Sequence, residues 1–446
     1  MASRPRRPLR DGRRDRSWRP SVRRLAGPTG LGAQRLPGCR RETTRTMNGL
    51  RLLSGPDLRG GPENFDEHRR RLGPQPAGSP ALIDPLARSG LLGRGGAAFP
   101  VGVKWRSVAG RSRGGAVVLA NGAEGEPLSW KDRLLLTSRP HLVLDGAFIA
   151  AGSVGSEQVV LYVGEQHGAA LRALRLALAE RPESQQRLAS IVSAPPRYVA
   201  GEESAAVHFV QSGVATPTTV PPRPFERGVD GRPTLVQNVE TLAQVALIAR
   251  YGDAWFRETG SGGGTLLVSV SGAVASAGVL EVEVGSSIAD VVIAAGGLSE
   301  AARAVLVGGY FGSWIDADQA WGLPLDALWL RSRGWLLGCG VLSILGSRAC
   351  GVCETARVMR YLAAESSAQC GPCFFGLRAL ADACTRVAAG EGRRQDLDRL
   401  RRWSSEVRGR GACRHPDGAV SLLQSALQVF SREFEHHSAH AQAEVA

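Results

Sequence analysis

Residues 90–105, GLLGRGGAAFPVGVKW, set the reading of the whole chain. Gly93, Arg94, Gly95 and Gly96 form a loop whose backbone N–H groups can approach a ligand closely, which suits a phosphate. Ala97, Ala98 and Phe99 read as the opening of a helix, with Pro100 tolerated in its first turn, so the positive helix end would reinforce the site. A bare glycine cluster is more often a flexible turn. Lysine usage tips the balance: of 55 basic side chains only Lys104 and Lys131 are lysines, and both stand in motif-like, glycine-containing stretches. A chain so biased towards arginine keeps lysine where a compact ammonium donor matters.

Three more stretches share this character. Residues 121–127, NGAEGEP, follow a strand-like apolar run at 116–120 and lead into Lys131, Asp132 and Arg133. Asn121, Glu124 and Glu126 thereby fall just past a strand end, at the carboxyl edge of a sheet, where open α/β folds bind ligands. Residues 198–204, YVAGEES, bring Gly201, Glu202 and Glu203 to the start of a helix, and QNVET at 237–241 opens another.

In this order the four stretches resemble the flavin-carrying subunit of NADH:quinone oxidoreductase (respiratory complex I) and its relatives in NAD-linked formate dehydrogenases and hydrogenases. That family reads GRGGAGFPTGxKW, NADEGEPGxxKDR, GEET and NNVET; this chain has GRGGAAFPVGVKW, NGAEGEPLSWKDR, GEES and QNVET. The resemblance runs from about residue 89 to about residue 434. It implies an α/β chain: a Rossmann-like flavin-binding sandwich, a small β-grasp (ubiquitin-like) domain and a C-terminal four-helix iron–sulfur bundle. It also implies an FMN site of Gly93, Arg94, Gly95, Gly96, Lys104, Asn121, Glu124, Gly125, Gly201, Glu202 and Asn238. Phe99, Glu126 and Glu203 would hold NADH as substrate. The chain departs from the family at Ala123, where an aspartate is usual, at Ser107, where an aromatic is usual, and at Val220-Pro221-Pro222-Arg223, where K-P-P-F is usual. One lost hydrogen bond costs about 1 kcal/mol. The flavin site therefore suffers less than the dinucleotide site, which loses a cation and aromatic rings.

The net charge of +14 is mostly local: residues 1–46 hold 14 arginines against Asp11, Asp15 and Glu42, which is +11 of the total and leaves +3 for the rest. That Pro- and Gly-rich tail lacks apolar periodicity and is expected to be disordered, with Met47 an alternative start that would leave it untranslated. An Arg-rich tail can bind nucleic acid, but no nucleic acid is expected for residues 47–446. Residues 47–88 read as a loop-rich lead-in and 89–250 as the FMN/NADH-binding α/β domain, with strands at 116–120 and 158–163 and helices at 142–151 and 169–179. The proline-dense connection 215–233 should shape the ligand cleft. Strands at 265–272, 278–284 and 304–309 and a helix at 288–295 place the β-grasp unit in 262–325. Residues 335–436 read as the helical domain, with helices at 354–364, 377–389, 395–407 and 417–434. No stretch is apolar for long enough to span a membrane. The expectation is a cytoplasmic chain, peripheral to a membrane complex and joined to an electron-accepting partner subunit.

Seven of the eight cysteines follow residue 338, which points to a metal or redox site rather than disulfides. Cys370-Gly371-Pro372-Cys373 has the local shape of an iron–sulfur ligand loop. The family reads ESCGQCTPCREG here, with a distal cysteine, and binds a [4Fe–4S] cluster; this chain supplies Cys370, Cys373 and the distal Cys413, with Ser367 in the fourth ligand position. Three outcomes stay open: a cluster with an oxygen or external ligand at one iron, a cluster recruiting another thiol such as Cys350 or Cys353, or none. Cys339 and Cys384, amid apolar residues, read as ordinary buried cysteines. Two functions follow. One is an NADH dehydrogenase-type flavoprotein passing electrons through the cluster. The other is a non-catalytic relative that binds a flavin, or nothing, and serves as a partner or assembly subunit.

Overall fold

A computed structural model describes residues 50–113, 115–392 and 394–439. The Arg-rich tail and the start at Met47 lie outside the described residues. The first sheet is parallel throughout, with strands β1 (Ala116–Gly122), β2 (Ser156–Gly164), β3 (Ala189–Ala194) and β4 (Thr234–Asn238) in the order β3-β2-β1-β4. Its central strand reads AVVLANG, almost unbroken in apolar residues, because both faces are covered. Ala116, Val118 and Ala120 face the helices Pro140–Val154 and Val239–Arg257, while Val117 and Leu119 face the helix Glu203–Ser212. The chain order reverses at β1, so the carboxyl ends of β1 and β4 flank the topological switch point. The motifs at 121–127 and 237–241 emerge there.

The second sheet is mixed: β5 (Thr265–Gly272), β6 (Gly278–Glu283), β7 (Ala302–Val307), β8 (Ser313–Asp316) and β9 (Val341–Gly346) in the order β6-β5-β9-β7-β8. A hairpin, the helix Ile288–Ala294 and a last strand returning parallel beside the first give the β-grasp topology. That central strand β9 comes from within the 335–436 segment read as helical. Its six residues, Val341–Gly346, are too short a run to separate from a helix by periodicity. The bundle holds the helices Gly351–Ala364, Arg378–Ala388, Arg394–Val407, His415–Val429 and Ser431–Ala439. The periodicity of 417–434 predicts one helix where the structure has the last two. The break falls at Phe430, whose buried ring packs edge-on against Trp314 of β8.

The lead-in is more ordered than its composition suggests. It carries the helices Phe65–Leu72 and Ile83–Ser89, the first opened by a capping box in which Asn64 and Glu67 bond reciprocally. It also ties the chain together: the N–H groups of Arg51, Leu52 and Leu53 donate to the buried carboxylate of Glu281 on β6. Arg139 donates to the carbonyls of Leu53, Ser54 and Pro56.

Candidate functional site

The glycine loop does not run straight into its helix. Leu92 and Pro100 form a bridge, the Gly93 N–H donates to the Phe99 carbonyl at 2.9 Å, and Ala98 sits at φ 48°. The helix Val101–Ser112 therefore starts later than residues 97–99, with Pro100 as its N-cap. A β-bridged hairpin holds residues 93–99 over the switch point. There the Arg94 N–H donates to Thr241 Oγ1 at 2.9 Å, and a Cβ on Gly95 would meet Asn238 at 3.2 Å. Gly96, at φ 110°, occupies a conformation that L side chains rarely adopt.

A cleft of about 1120 Å³ opens beside this hairpin. Ten of the eleven residues expected for FMN and all three expected for NADH line it. Arg94 is the exception: its guanidinium turns away and donates to the carbonyls of Gly263 and Thr265 at 3.0 and 3.1 Å, bracing the second sheet. Cavities for a single ligand span about 300–1,000 Å³, so this one has room for a flavin and a second molecule. The floor is bare: a Cβ on Gly125 would lie 2.7 Å from the Tyr198 carbonyl, so no side chain fills it. These features fit a flat ring and a phosphate.

Several acids expected as ligands also hold the frame. Both oxygens of Glu124, itself at φ 45°, are taken by Ser129 Oγ, the N–H groups of Asp132 and Arg133, and Arg133 Nε. Burial would raise its carboxyl, yet the adjacent Arg133 guanidinium holds it below the usual range. Glu202 caps the helix Glu203–Ser212 through the N–H groups of Ser204 and Ala205, and Asn238 caps Val239–Arg257 through those of Glu240 and Thr241. Asn121 Nδ2 donates to the Gly201 carbonyl at 2.9 Å, joining two motif loops. Lys131 is fully buried between Asp132 and Glu240, at 2.7 and 2.9 Å, so this lysine anchors the frame.

Lys104, Phe99 and Glu126 also face the cleft. Lys104 Nζ lies 2.7 Å from Glu203 Oε2, and Phe99 is 49% exposed. Glu126 accepts from Tyr198 Oη at 3.0 Å and from the Tyr310 N–H at 2.9 Å, and burial pushes its carboxyl up to about 7.

Sequence reasoning missed what the other units bring to the wall. Phe311 and Cys339 come from the second sheet, and His415 from the bundle. Cys339, expected to be buried in apolar surroundings, is half-buried on the cleft; Cys384 is buried in the bundle core. The His415 ring stacks edge-on against Tyr198 and Phe311 and donates from Nε2 to the Leu362 carbonyl at 2.7 Å, leaving Nδ1 without a partner among the described residues. Four arginines, Arg223, Arg331, Arg408 and Arg414, give the cleft a basic rim. Arg223 and Pro217 come from the 215–233 connection, which thus shapes the cleft as expected.

The thiols divide into two groups. Cys413 lines the cleft, and burial, with the Cys370 sulfur nearby, pushes its thiol up. Cys373 is buried, with Cys370 and the Ser366 hydroxyl beside it, and burial pushes its thiol up to about 12. These three thiols come together and suit iron–sulfur ligation, while the half-buried Ser367 shares the loop of Cys370 and Cys373. Cys350 and Cys353 cannot complete the set. They open the helix Gly351–Ala364, whereas residues 366–373 follow its far end, and 14 residues span about 21 Å.

The chain matches three family models: the Nuo51 FMN-binding domain over residues 86–247, the SLBB domain over 267–309, and the NADH-ubiquinone oxidoreductase-F iron-sulfur binding region over 349–437. It is 31% identical over 373 residues to the F 2 subunit of the NADH-quinone oxidoreductase of Rhizobium meliloti, covering 80% of this chain and 88% of that protein. To the NADP-reducing hydrogenase subunit HndC of Solidesulfovibrio fructosivorans it is 28% identical over 372 residues, covering 80% and 76%. A crystal structure of an air-oxidized NAD+-reducing [NiFe]-hydrogenase superposes with a TM-score of 0.74 and 32% identity, over 80% of this chain and 63% of that one. Among the described residues no helix is long and apolar enough to cross a membrane.

Proposed function

The chain belongs to the F-type subunit family of NADH-quinone oxidoreductase, and we propose that it binds FMN and a nicotinamide dinucleotide side by side in the one cleft. One observation supports this reading: the separated motifs converge on a single cavity at the sheet's switch point, with room for two ligands and Cys413 on its wall. Bound FMN would take hydride from NADH and give up electrons singly.

The chain's own groups orient and screen. The 93–96 loop, free of side-chain bulk at its three glycines, admits the flavin, and Lys104 supplies the cation next to it. Phe99 offers an apolar face to the nicotinamide, and Glu203 and Glu126 offer acceptors to its carboxamide and ribose. The arginine rim suits the phosphates of a dinucleotide and offsets the missing cation at Val220. Cys370, Cys373 and Cys413, with Ser367, would hold a cluster within reach of the cleft, as the outlet to an electron-accepting partner subunit. We place the chain in the cytoplasm, peripheral to a membrane complex.

The absorbance spectrum of the purified full chain, with flavin released and assayed by chromatography, tests the reading. One FMN per chain supports it. A chain that takes up no flavin on reconstitution belongs with the non-catalytic relatives.

A further inference from the structure

We propose that Cys350, Cys353 and His437 form a second metal site, taking one thiophilic divalent cation, zinc or ferrous iron, apart from the Cys370 loop. The inference does not depend on the flavin reading. Cys350 is the N-cap of the helix Gly351–Ala364 and Cys353 stands in its first turn, so the C-x₂-C spacing turns both sulfurs to the same helix end. His437 reaches them from a different helix, Ser431–Ala439. Its Nε2 lies 3.4 Å from Cys350 Sγ, and the three ligand atoms all fall within 4.8 Å of one another.

That spacing is what a tetrahedral cation imposes. Metal–sulfur and metal–nitrogen distances of about 2.3 and 2.0 Å put neighbouring ligand atoms roughly 3.5–3.8 Å apart. A cation therefore enters with side-chain movements of about an ångström. The Cys353 N–H donates to Cys350 Sγ at 3.3 Å, which fixes that sulfur at the helix start. Two thiolates and a neutral imidazole are a donor set that selects a borderline d-block ion over magnesium or calcium. Cys353 is exposed, so the fourth position opens to water.

The site also has a held frame. Glu433, one turn before His437, accepts from the Gly351 N–H at 3.0 Å and pairs with Arg303 of β7. The cation would fasten the end of the described chain to the start of the bundle. Loading exchanges two thiol protons for the ion, so two protons leave per cation bound.

The test uses the full chain with Cys370→Ser, Cys373→Ser and Cys413→Ser, which removes the other clustered thiols. Chelator-stripped, reduced protein is titrated anaerobically with Co²⁺ and then Zn²⁺, reading thiolate-to-cobalt charge transfer and thermal melting. The proposal expects one equivalent of Co²⁺ with thiolate absorption, displaced by Zn²⁺, and a higher melting temperature with Zn²⁺. Adding Cys353→Ser should weaken binding at least about 100-fold and His437→Gln about tenfold or more, with melting in the absence of metal unchanged. In the chain with its native thiols, the same two changes should leave acid-labile sulfide content as it is. Absence of thiolate–cobalt absorption overturns the proposal, as does absorption that survives both changes. So does a metal-free Cys350–Cys353 disulfide in protein purified with zinc present, which would mark a dithiol pair instead.

Discussion

Replacing Lys104 by alanine separates a ligand-binding lysine from a structural one. Among the described residues its ammonium pairs with Glu203 Oε2 at 2.7 Å, and the two side chains are 20% and 34% exposed. A part-exposed pair of this kind contributes at most about 1 kcal/mol to stability. The variant should therefore fold, with a melting temperature lower by roughly 2–4 °C or less. Against an anionic flavin the same ammonium makes a charge-assisted hydrogen bond of about 1.5–3 kcal/mol, equal to about 10- to 140-fold in affinity. The upper end is expected, because alanine also leaves the Glu203 carboxylate uncompensated on the cleft wall. Apo-protein titrated with FMN, following quenching of flavin fluorescence, reads the loss, and Lys104→Arg should fall between wild type and alanine. If the alanine variant binds FMN within about threefold of wild type while keeping its melting temperature, the placement of the flavin beside Lys104 is wrong.

Other outcomes follow from the same geometry. Burial lifts the Glu126 carboxyl from 4.5 to about 7 in the folded chain, so between those values the folded state binds more protons than the unfolded state. Apo-protein stability should fall as pH rises through that window, by no more than about 3 kcal/mol, and Glu126→Gln should flatten the fall in a chemical-denaturation series. Gly146→Ala should destabilise by about 1–3 kcal/mol or more, read from the denaturation midpoint, because its Cβ would lie 2.0 Å from the Leu242 carbonyl. Ser367→Cys should raise iron and sulfide retention after anaerobic reconstitution, since thiolate suits iron better than a hydroxyl. Equal, full loading in both proteins would show that the serine already completes the site.

The motif loops are legible because their chemistry is local. Glycine where a side chain would clash, a carboxylate after a strand and an asparagine at a helix start each leave a mark within a few residues. Alternation in 265–272 is legible as well, since β5 has that span and one face of it meets each core. What the sequence hides is long-range. Nothing near Arg94 says that its guanidinium will find carbonyls about 170 residues away. Nothing near His415 says that its ring will stand on the wall of a cleft built mostly from residues 93–240. Glu124 and Glu202 look like ligand acids in the sequence, yet their oxygens bond to helix N–H groups, because a helix start offers donors sooner than a ligand does. The pairing of Cys350 with His437 spans 87 residues and has no local signature at all.

The claim that one cleft brings a flavin and a dinucleotide together meets its most direct test in an anaerobic titration of FMN-loaded protein with NADH, followed by flavin absorbance. The account predicts that the flavin bleaches with about one NADH, or one NADPH in its place, per FMN. Flavin that stays bound and oxidised with an excess of either nucleotide would contradict it, and would leave the cleft a flavin site without a hydride donor.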